Sequence, residues 1–254
     1  PRKNKYISWL GLKYFRILQY YSVAIKTKNL NNMKSIRLLI ITFKNRISNE
    51  EIPLFRGAII NNFGNRISEL FHNHQNEKLR YAYPLIQYKR INGNAAILGI
   101  DEGADVLEQL TACNNFICQL GCRKVKMEIN SVKSEQIFIS LSDNPQRYCI
   151  QKWLPLNSEN YQKYLKVEGL AERIEMLNKI LIGNILSFTK GINIHIHSPL
   201  TCKLTKLEDS IPVSYKGVEL KSFNAEFQAN IILPDFIGLG KSSSINNGTI
   251  NHIK

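Results

Sequence analysis

Two histidines and two basic residues lie close together in the first third of the chain. His72, His74, Lys78 and Arg80 all fall in the stretch FHNHQNEKLRYAYPLIQYK, residues 71–89. A histidine, with a pKa near 6.5, exchanges protons at neutral pH, and a lysine or arginine stabilises negative charge on phosphate. The combination suits RNA cleavage without a metal, in which the RNA's own 2′-hydroxyl attacks the adjacent phosphate. In the alternative interpretation, the histidines are a polar helix end and the cations a solvated surface.

A second candidate is the glycine-rich run IGLGKSSSINNGTI, residues 237–250. Gly238 and Gly240 lack a Cβ, so the backbone there can adopt positive φ and approach a ligand closely. Lys241 and Ser242 add donors to backbone N–H groups that together can form an anion-binding concavity. The glycine spacing fits neither a P-loop nor a dinucleotide fingerprint. A flexible loop without a ligand is the competing interpretation.

A metal site is a further alternative. His195 and His197, in the stretch INIHIHS, would face one side of a strand, as metal ligands can. With His72 and His74 they would form a four-histidine site for a transition metal. No carboxylate is evident nearby, and paired surface histidines are common, so we expect neither a metal nor another cofactor. The pair could equally face RNA.

The charge distribution favours a polyanionic partner. The formal net charge is +14, and residues 1–32 contain seven basic residues and no acid, so half of the excess lies there. The remaining +7 on the body of the chain favours nucleic acid, although a basic surface without a ligand is the alternative. Lys13 and Arg16 interrupt the apolar stretch of the first segment, which excludes a secretory or membrane-spanning helix there. We expect residues 1–32 to be a basic extension outside the core.

The cysteine pattern favours a reducing compartment. There are five cysteines, an odd number. Cys113, Cys118 and Cys122 do not have the paired spacing of a zinc site. We therefore expect reduced thiols and a cytoplasmic protein.

The first half predicts the order β-α-β-β-α-β. Residues 34–43 form an apolar strand, and the stretch SNEE followed by Pro53 predicts a helix start. The helical stripe that follows is expected to break into two pieces at Gly57 and Gly64. The stretch YPLIQYKRINGNAAILGI predicts two strands around a tight turn. A helix near Asp101 and a strand over residues 123–129 complete the ferredoxin-like order.

The second half predicts a similar α+β plan. Residues 142–158 contain two prolines and little periodicity, and they mark the expected boundary. A helix over Leu170–Ile185, ending at Gly191, is followed by four strands with the sequences INIHIH, TCKLTKL, PVSYKG and VELKSFNAEFQANIIL. The prediction is an α+β protein with two tandem ferredoxin-like domains, over residues 33–145 and 146–254.

Several segments in this order resemble the CRISPR-associated repeat-processing endoribonucleases of the RAMP superfamily. They are EIPLFRGAI, FHNH, YPLIQYK, NYQKYLKVEGL, KILIGNILSF and IGLGKSSSINNGTI, and they span residues 33–250. The resemblance implies two ferredoxin-like domains, metal-independent cleavage of CRISPR precursor RNA, and a glycine-rich loop that touches RNA. It also implies subunits of a CRISPR effector complex as further partners. We expect a monomer or homodimer without a membrane partner.

The resemblance also assigns roles to residues. The family's catalytic histidine falls on His74 first and His72 second, and its basic helper on Lys78 or Arg80. Tyr81, Tyr83 and Tyr88 are expected to be core or stacking groups. The expected RNA contacts are Arg56, Lys89, Arg90, Lys216, Gly238, Gly240, Lys241 and Ser242.

The glycine run departs from the family pattern G-x-G-K-S-x-S-x-G-F-G. Ile245, Asn246 and Asn247 precede Gly248, so one glycine and one aromatic residue are missing. Because asparagine tolerates left-handed backbone, we expect the turn to survive. The departure favours a second hypothesis, an RNA-binding relative that holds processed RNA without cutting it.

Overall fold

A computed structural model describes residues 34–67, 74–75, 78–79, 83–112, 115–215 and 218–253. Ile36–Lys254 form one compact unit. The basic extension over residues 1–32 lies outside the described residues. No helix within the described ranges has the length and apolar character needed to cross a membrane.

The first half builds one sheet with two helices. Its elements are β1 (Lys34–Arg46), α1 (Ile52–Ile67), β2 (His74–Gln75), β3 (Lys78–Leu79), β4 (Ile86–Ile91), β5 (Asn94–Ile100), α2 (Glu102–Thr111), β6 (Asn115–Leu120) and β7 (Arg123–Ile139). The strand order of the five-stranded sheet is β4-β5-β1-β7-β6, and β2 and β3 pair separately. Apart from β6, a hairpin partner of β7, this is the ferredoxin-like order that the sequence predicts.

The turn between β4 and β5 follows the predicted hairpin signal. Asn92 has φ 52° and Gly93 has φ 88°. Both central residues of a type I′ turn need positive φ, which asparagine and glycine adopt most readily. The register places Ile91 opposite Asn94, so the loop has two residues.

Helix α1 differs from the prediction because it is not broken at its glycines. It runs without interruption from Ile52 to Ile67, through Gly57 and Gly64. Glycine costs a helix about 1 kcal/mol relative to alanine but leaves the main-chain hydrogen bonds intact. Burial of Phe55, Ile59 and other apolar residues of α1 in the core opposes that cost.

The second half builds another sheet but contains only one long helix. Its elements are β8 (Leu141–Trp153), α3 (Ser158–Lys166), α4 (Leu170–Gly191), β9 (Cys202–Leu207), β10 (Ile211–Tyr215), β11 (Val218–Ile231) and β12 (Thr249–His252). The sheet order is β10-β11-β8-β12, and β9 also pairs with β11. This is again a ferredoxin-like order. Residues 232–248, which stand where a second crossover helix is expected, contain no helix.

The expected boundary segment is a strand. Residues 142–158 were expected to be irregular, but β8 occupies most of them. Its register against β11 shifts between the Gln146–Ala229 pair and the Leu141–Ile231 pair. Pro145 lies in that irregular stretch, where a missing N–H breaks no ladder bond. Because the register shifts there, the alternation of buried and exposed residues along β8 is interrupted, and the sequence does not show the pattern of a strand.

The stretch INIHIH is not a strand, contrary to the prediction. Residues 194–197 belong to no strand and pair with none. Ile192 and Ile194 are buried, whereas His195 and His197 are exposed. The alternation of apolar and polar residues reflects the burial of one side of the chain. A strand also requires a neighbouring strand that pairs with its backbone, and here there is none.

The two faces of the first sheet serve different cores. Leu39, Ile41 and Phe43 of β1 pack with α1 and α2. Ile36 and Leu38, on the opposite face, join a core shared with the second sheet and α4. Because side chains alternate along a strand, β1 contributes to both cores, one on each face of the first sheet.

Candidate nucleic-acid interface

The segment Ile237–Gly248, here called the glycine loop, runs along the edge strand β4 of the first sheet. The N–H of Tyr88 donates to the carbonyl of Ser244 at 2.7 Å. Tyr88 and Ile245 also form an isolated parallel bridge. The loop of the second half is therefore attached to the sheet of the first.

A buried ring of hydrogen bonds fixes the start of the glycine loop. Gln87 Nε2 donates to the Tyr83 hydroxyl at 2.8 Å, and that hydroxyl donates to the Gly238 carbonyl at 2.9 Å. The Gly238 N–H donates back to Gln87 Oε1 at 2.9 Å. Burial raises the pKa of Tyr83, so the hydroxyl stays a donor. Both main-chain groups of Gly238 are therefore used inside the protein.

Lys89, another of the expected RNA contacts, lies inside the protein. It is fully buried, and its Nζ lies 3.1 Å from Thr249 Oγ1 and 3.4 Å from the Ser243 carbonyl. Burial lowers its pKa to about 7. The amine therefore donates to the glycine loop from the protein interior. No carboxylate within the described residues forms an ion pair with it.

Two glycines of the loop are required by close packing. Gly240 has φ 86°, and a Cβ there would lie 3.0 Å from Trp153 Nε1 and 3.1 Å from Asn184 Oδ1. Those two atoms already form a hydrogen bond of 2.9 Å. Gly248 has φ 61°, and a Cβ there would overlap the Leu239 carbonyl. The glycines let the backbone pack against the protein itself.

The departure from the family pattern keeps the turn. Asn246 adopts φ 68°, as expected for asparagine in the place of a glycine. Its Oδ1 accepts from the Arg90 N–H at 3.4 Å. Lys241 is exposed, and the buried Ser242 hydroxyl has no partner within the described structure.

Beside the glycine loop lies a cleft with a volume of about 410 Å³, here called the polar pocket. Its lining includes Asn49, Lys89, Arg90, Lys152, Asn246 and Asn251. Arg90 is exposed, and its Nε donates to the Ile47 carbonyl at 2.7 Å. Burial and the neighbouring charge of Arg90 lower the pKa of Lys152, and Glu50 partly opposes them. The two exposed basic side chains, Arg90 and Lys152, together with neutral amides suit a phosphate.

Three residues that line the two neighbouring cavities between the halves were not predicted from the sequence. Lys152, Phe236 and His252 come from separate segments that carry no motif, and only the fold brings them together. Arg56, by contrast, lies half-buried on α1, where its charge slightly lowers the otherwise raised pKa of Tyr88. Tyr83 and Tyr88 are buried, as predicted.

The predicted catalytic group is described only in part. His74 lies in β2 opposite Leu79, and Lys78 lies in β3 opposite Gln75, so both belong to one antiparallel pair of strands. The side chains of His74 and Lys78 lie outside the described structure. So do His72, Arg80, Tyr81 and Lys216.

The metal alternative gains no support from the histidines that are described. His195 and His197 are exposed, and among the described side chains no three metal-binding residues come together. They also lack the strand that the four-histidine arrangement assumed.

Comparisons with known proteins agree over the whole described chain. The model of the Cas6b N-terminal domain matches residues 34–137, and that of the Cas6b C-terminal domain matches residues 140–253. The uncharacterized protein MJ0978 of Methanocaldococcus jannaschii is 32% identical over 124 residues, which cover 48% of this chain and 82% of that protein.

Solved structures give the same answer. A crystal structure of Cas6b superposes with a TM-score of 0.77 at 25% identity, over 87% of this chain and 100% of that one. A CRISPR RNA processing endoribonuclease Cas6b superposes with a TM-score of 0.67 at 24% identity and the same coverage. The predicted α+β fold with tandem ferredoxin-like domains is confirmed. The family resemblance is confirmed as well: the chain belongs to the Cas6b family of CRISPR repeat-processing endoribonucleases.

Proposed function

We propose that this chain binds CRISPR repeat RNA at the junction of its halves and cleaves precursor CRISPR RNA without a metal. The observation that carries the proposal is the cationic polar pocket beside the glycine loop, in a chain that matches Cas6b over both halves. Arg90 is exposed in that pocket and Lys241 is exposed on the glycine loop, and backbone phosphates are the main partners of such side chains. Arg56, Gly240, Ser242 and Lys216 are the other proposed RNA contacts.

The proposed reaction uses the RNA's own sugar. The 2′-oxygen attacks the adjacent phosphorus while the bond from phosphorus to the 5′-oxygen breaks. One group takes the 2′-proton and another donates a proton to the leaving oxygen. His74 is the first candidate for proton transfer and His72 the second, with Lys78 or Arg80 stabilising the phosphorane. The products are a 2′,3′-cyclic phosphate, or the 3′-phosphate, and a 5′-hydroxyl.

Cleavage of labelled repeat RNA in EDTA tests this mechanism. We expect wild-type protein to cut, and His74→Ala to lose roughly 10² to 10⁴ in rate because one proton transfer is lost. His72→Ala should lose less. His197→Ala is the matched control, since its imidazole is exposed and outside the proposed group. All histidine variants should still bind RNA.

A 2′-deoxy substitution immediately upstream of the cut separates the mechanism from others. It removes the nucleophile, so cleavage should stop while binding stays nearly unchanged. Equal cutting of deoxy RNA would disprove 2′-hydroxyl attack, and loss of activity in EDTA would favour a metal.

The second candidate is an RNA-binding protein that does not cut. It is favoured by the glycine loop, where Asn246 and Asn247 replace the glycine and aromatic residue of the family pattern. Tight binding with no product, under conditions in which the protein is folded, would support this candidate.

A further inference from the structure

The polar pocket has an apolar neighbour. A second cavity of about 320 Å³, here called the apolar pocket, is lined mainly by apolar side chains such as Leu38, Ile40, Ile137 and Leu233. Its lining also includes polar residues, among them Lys133, Glu135, Asp235 and His252. Ile91 and Phe236 line both pockets. The two cavities are therefore adjacent, with one surface rich in cations and amides and the other mainly hydrocarbon.

Unusual backbone conformations concentrate around the polar pocket. Seven non-glycine residues in the described chain have positive φ, and four of them line the polar pocket: Asn92, Lys152, Phe236 and Asn246. Asparagine tolerates this conformation, but a bulky residue does so rarely. Phe236 has φ 67° and Lys152 has φ 50°. Such strain persists where the surroundings impose it, and it is most common at functional sites.

An oriented imidazole borders the apolar pocket. His252 Nδ1 lies 2.9 Å from Asp235 Oδ1, and the His252 N–H donates to the same oxygen at 2.7 Å. The imidazole ring also lies against Tyr148, with ring centroids 4.5 Å apart. These contacts hold a half-exposed aromatic ring in one orientation at the pocket wall, as a stacking platform for a base requires.

The charges lie on the other side of the shared wall. Lys89 is at the buried floor of the polar pocket, Arg90 and Lys152 are exposed at its sides, and Glu50 is the acid whose charge acts on Lys152. An occupant that satisfies both cavities must be anionic at one end and flat and apolar at the other. An unpaired nucleotide has this shape and charge.

We infer that the two pockets together bind one unpaired nucleotide of single-stranded RNA. The phosphate occupies the polar pocket near Arg90 and Lys152, and the base occupies the apolar pocket against Phe236 and His252. This inference rests on the proposed function for the identity of the ligand as RNA. It adds to the proposed RNA interface a subsite for one nucleotide, which can be tested by measuring RNA binding without measuring cleavage.

The phosphate half is tested with repeat RNA made uncleavable by a 2′-deoxy substitution at the cut. We expect Arg90→Gln and Lys152→Gln each to weaken RNA binding by roughly 3- to 30-fold. Each should also reduce the salt slope, the slope of the logarithm of the binding constant against the logarithm of the salt concentration, by about one. Lys179→Gln is the matched control, because that exposed lysine on α4 pairs only with Glu175. Slopes equal to wild type in both pocket variants would overturn the inference.

The base half is tested by moving an abasic site along the same RNA. We expect one position at which loss of the base weakens wild-type binding by roughly 5- to 100-fold. In Phe236→Leu and His252→Ala that position should lose its effect, with the salt slope unchanged. An abasic profile identical to wild type in both variants would show that no base occupies the apolar pocket.

Photocrosslinking keeps the inference testable if the Phe236 variant does not fold. Wild-type protein is crosslinked to repeat RNA carrying 5-iodouridine at single positions, and the modified peptide is identified by mass spectrometry. We expect a crosslink to Phe236 or His252 from the position found in the abasic scan. Crosslinks confined to other surfaces would overturn the inference. Because neither assay requires cutting, a protein that binds without cleaving would refute the proposed enzyme and leave the nucleotide site supported.

Discussion

The two halves of this protein repeat one strand order but differ between the last two strands. In the first half, α2 and the short strand β6 lie between β5 and β7, and the buried residues Ala104, Leu107 and Leu110 of α2 pack on the sheet. In the second half, residues 232–248 link β11 to β12 without a helix. A helix satisfies its own main-chain groups, whereas an irregular segment must find partners elsewhere.

The irregular segment finds its partners in both halves. Gly248 N donates to the Lys152 carbonyl at 3.0 Å, and Lys241 N donates to the Leu154 carbonyl at 3.2 Å. Gly238 and Ser244 bond to Gln87 and Tyr88 of the first half. Replacing a self-sufficient helix by a dependent loop therefore joins the domains and places polar groups at their junction.

The largest expected effect is on the loop. Gly248→Ala should lower the free energy of unfolding by about 3 kcal/mol or more, because the new Cβ would overlap the Leu239 carbonyl at positive φ. Gly183→Ala is the matched control, since a Cβ there meets nothing within 4 Å on α4. That change should stabilise by up to about 1 kcal/mol. Urea unfolding gives the change in the free energy of unfolding for each variant. Similar changes in Gly248→Ala and Gly183→Ala would mean that the loop does not require glycine more than a helix does.

The next effect concerns the buried amine below the loop. Burial lowers the pKa of Lys89 from 10.5 to about 7 in the folded protein. Between these values the unfolded chain carries a proton that the folded chain has released, so the free energy of unfolding rises with pH, by at most about 1.4 kcal/mol per unit. Below about pH 7 Lys89 adds no pH dependence to the free energy of unfolding, because the amine is protonated in both the folded and the unfolded state.

Lys89→Met should remove this rise. Urea unfolding of wild type and variant at several pH values between neutral and alkaline gives the difference, which isolates the one amine. Lys126→Met, an exposed lysine near the same sheet, is the control. Parallel pH curves for wild type and Lys89→Met would show that the amine stays charged when buried.

The smallest effect is expected at α2. Arg37 Nη1 lies 3.0 Å from Asp105 Oδ1 and 2.9 Å from Glu108 Oε2, both exposed carboxylates on α2. Such surface pairs contribute little and are screened by salt. Arg37→Gln should shift the urea midpoint slightly at low salt and not at about 1 M salt. A large shift that survives salt would mean that α2, too, depends on polar ties to its neighbours.

Local patterns predicted the elements that depend on local physics. The spacing of Leu177, Leu181 and Ile185 predicted α4, and all three are buried. Asn92 and Gly93 predicted the hairpin because their positive φ is an intrinsic preference. The helix was also correctly predicted to end at Gly191.

The junction could not be predicted in this way. The bond between Gly238 and Gln87 joins residues 151 positions apart, and no periodicity relates them. Lysine side chains are mostly exposed, yet Lys89 is buried where the glycine loop of the other half packs on it. His252 gave no local signal, since its partners Asp235 and Tyr148 come from distant strands and loops.

The seam between Tyr88 and Ile245 also has a consequence for aggregation. Strand β4 ends its sheet, and such a border presents free amides to which a strand from another molecule can add. The chain covers this border with its own C-terminal segment. Loss of the glycine loop would expose a template for intermolecular strand pairing, so this loop protects β4 from self-association.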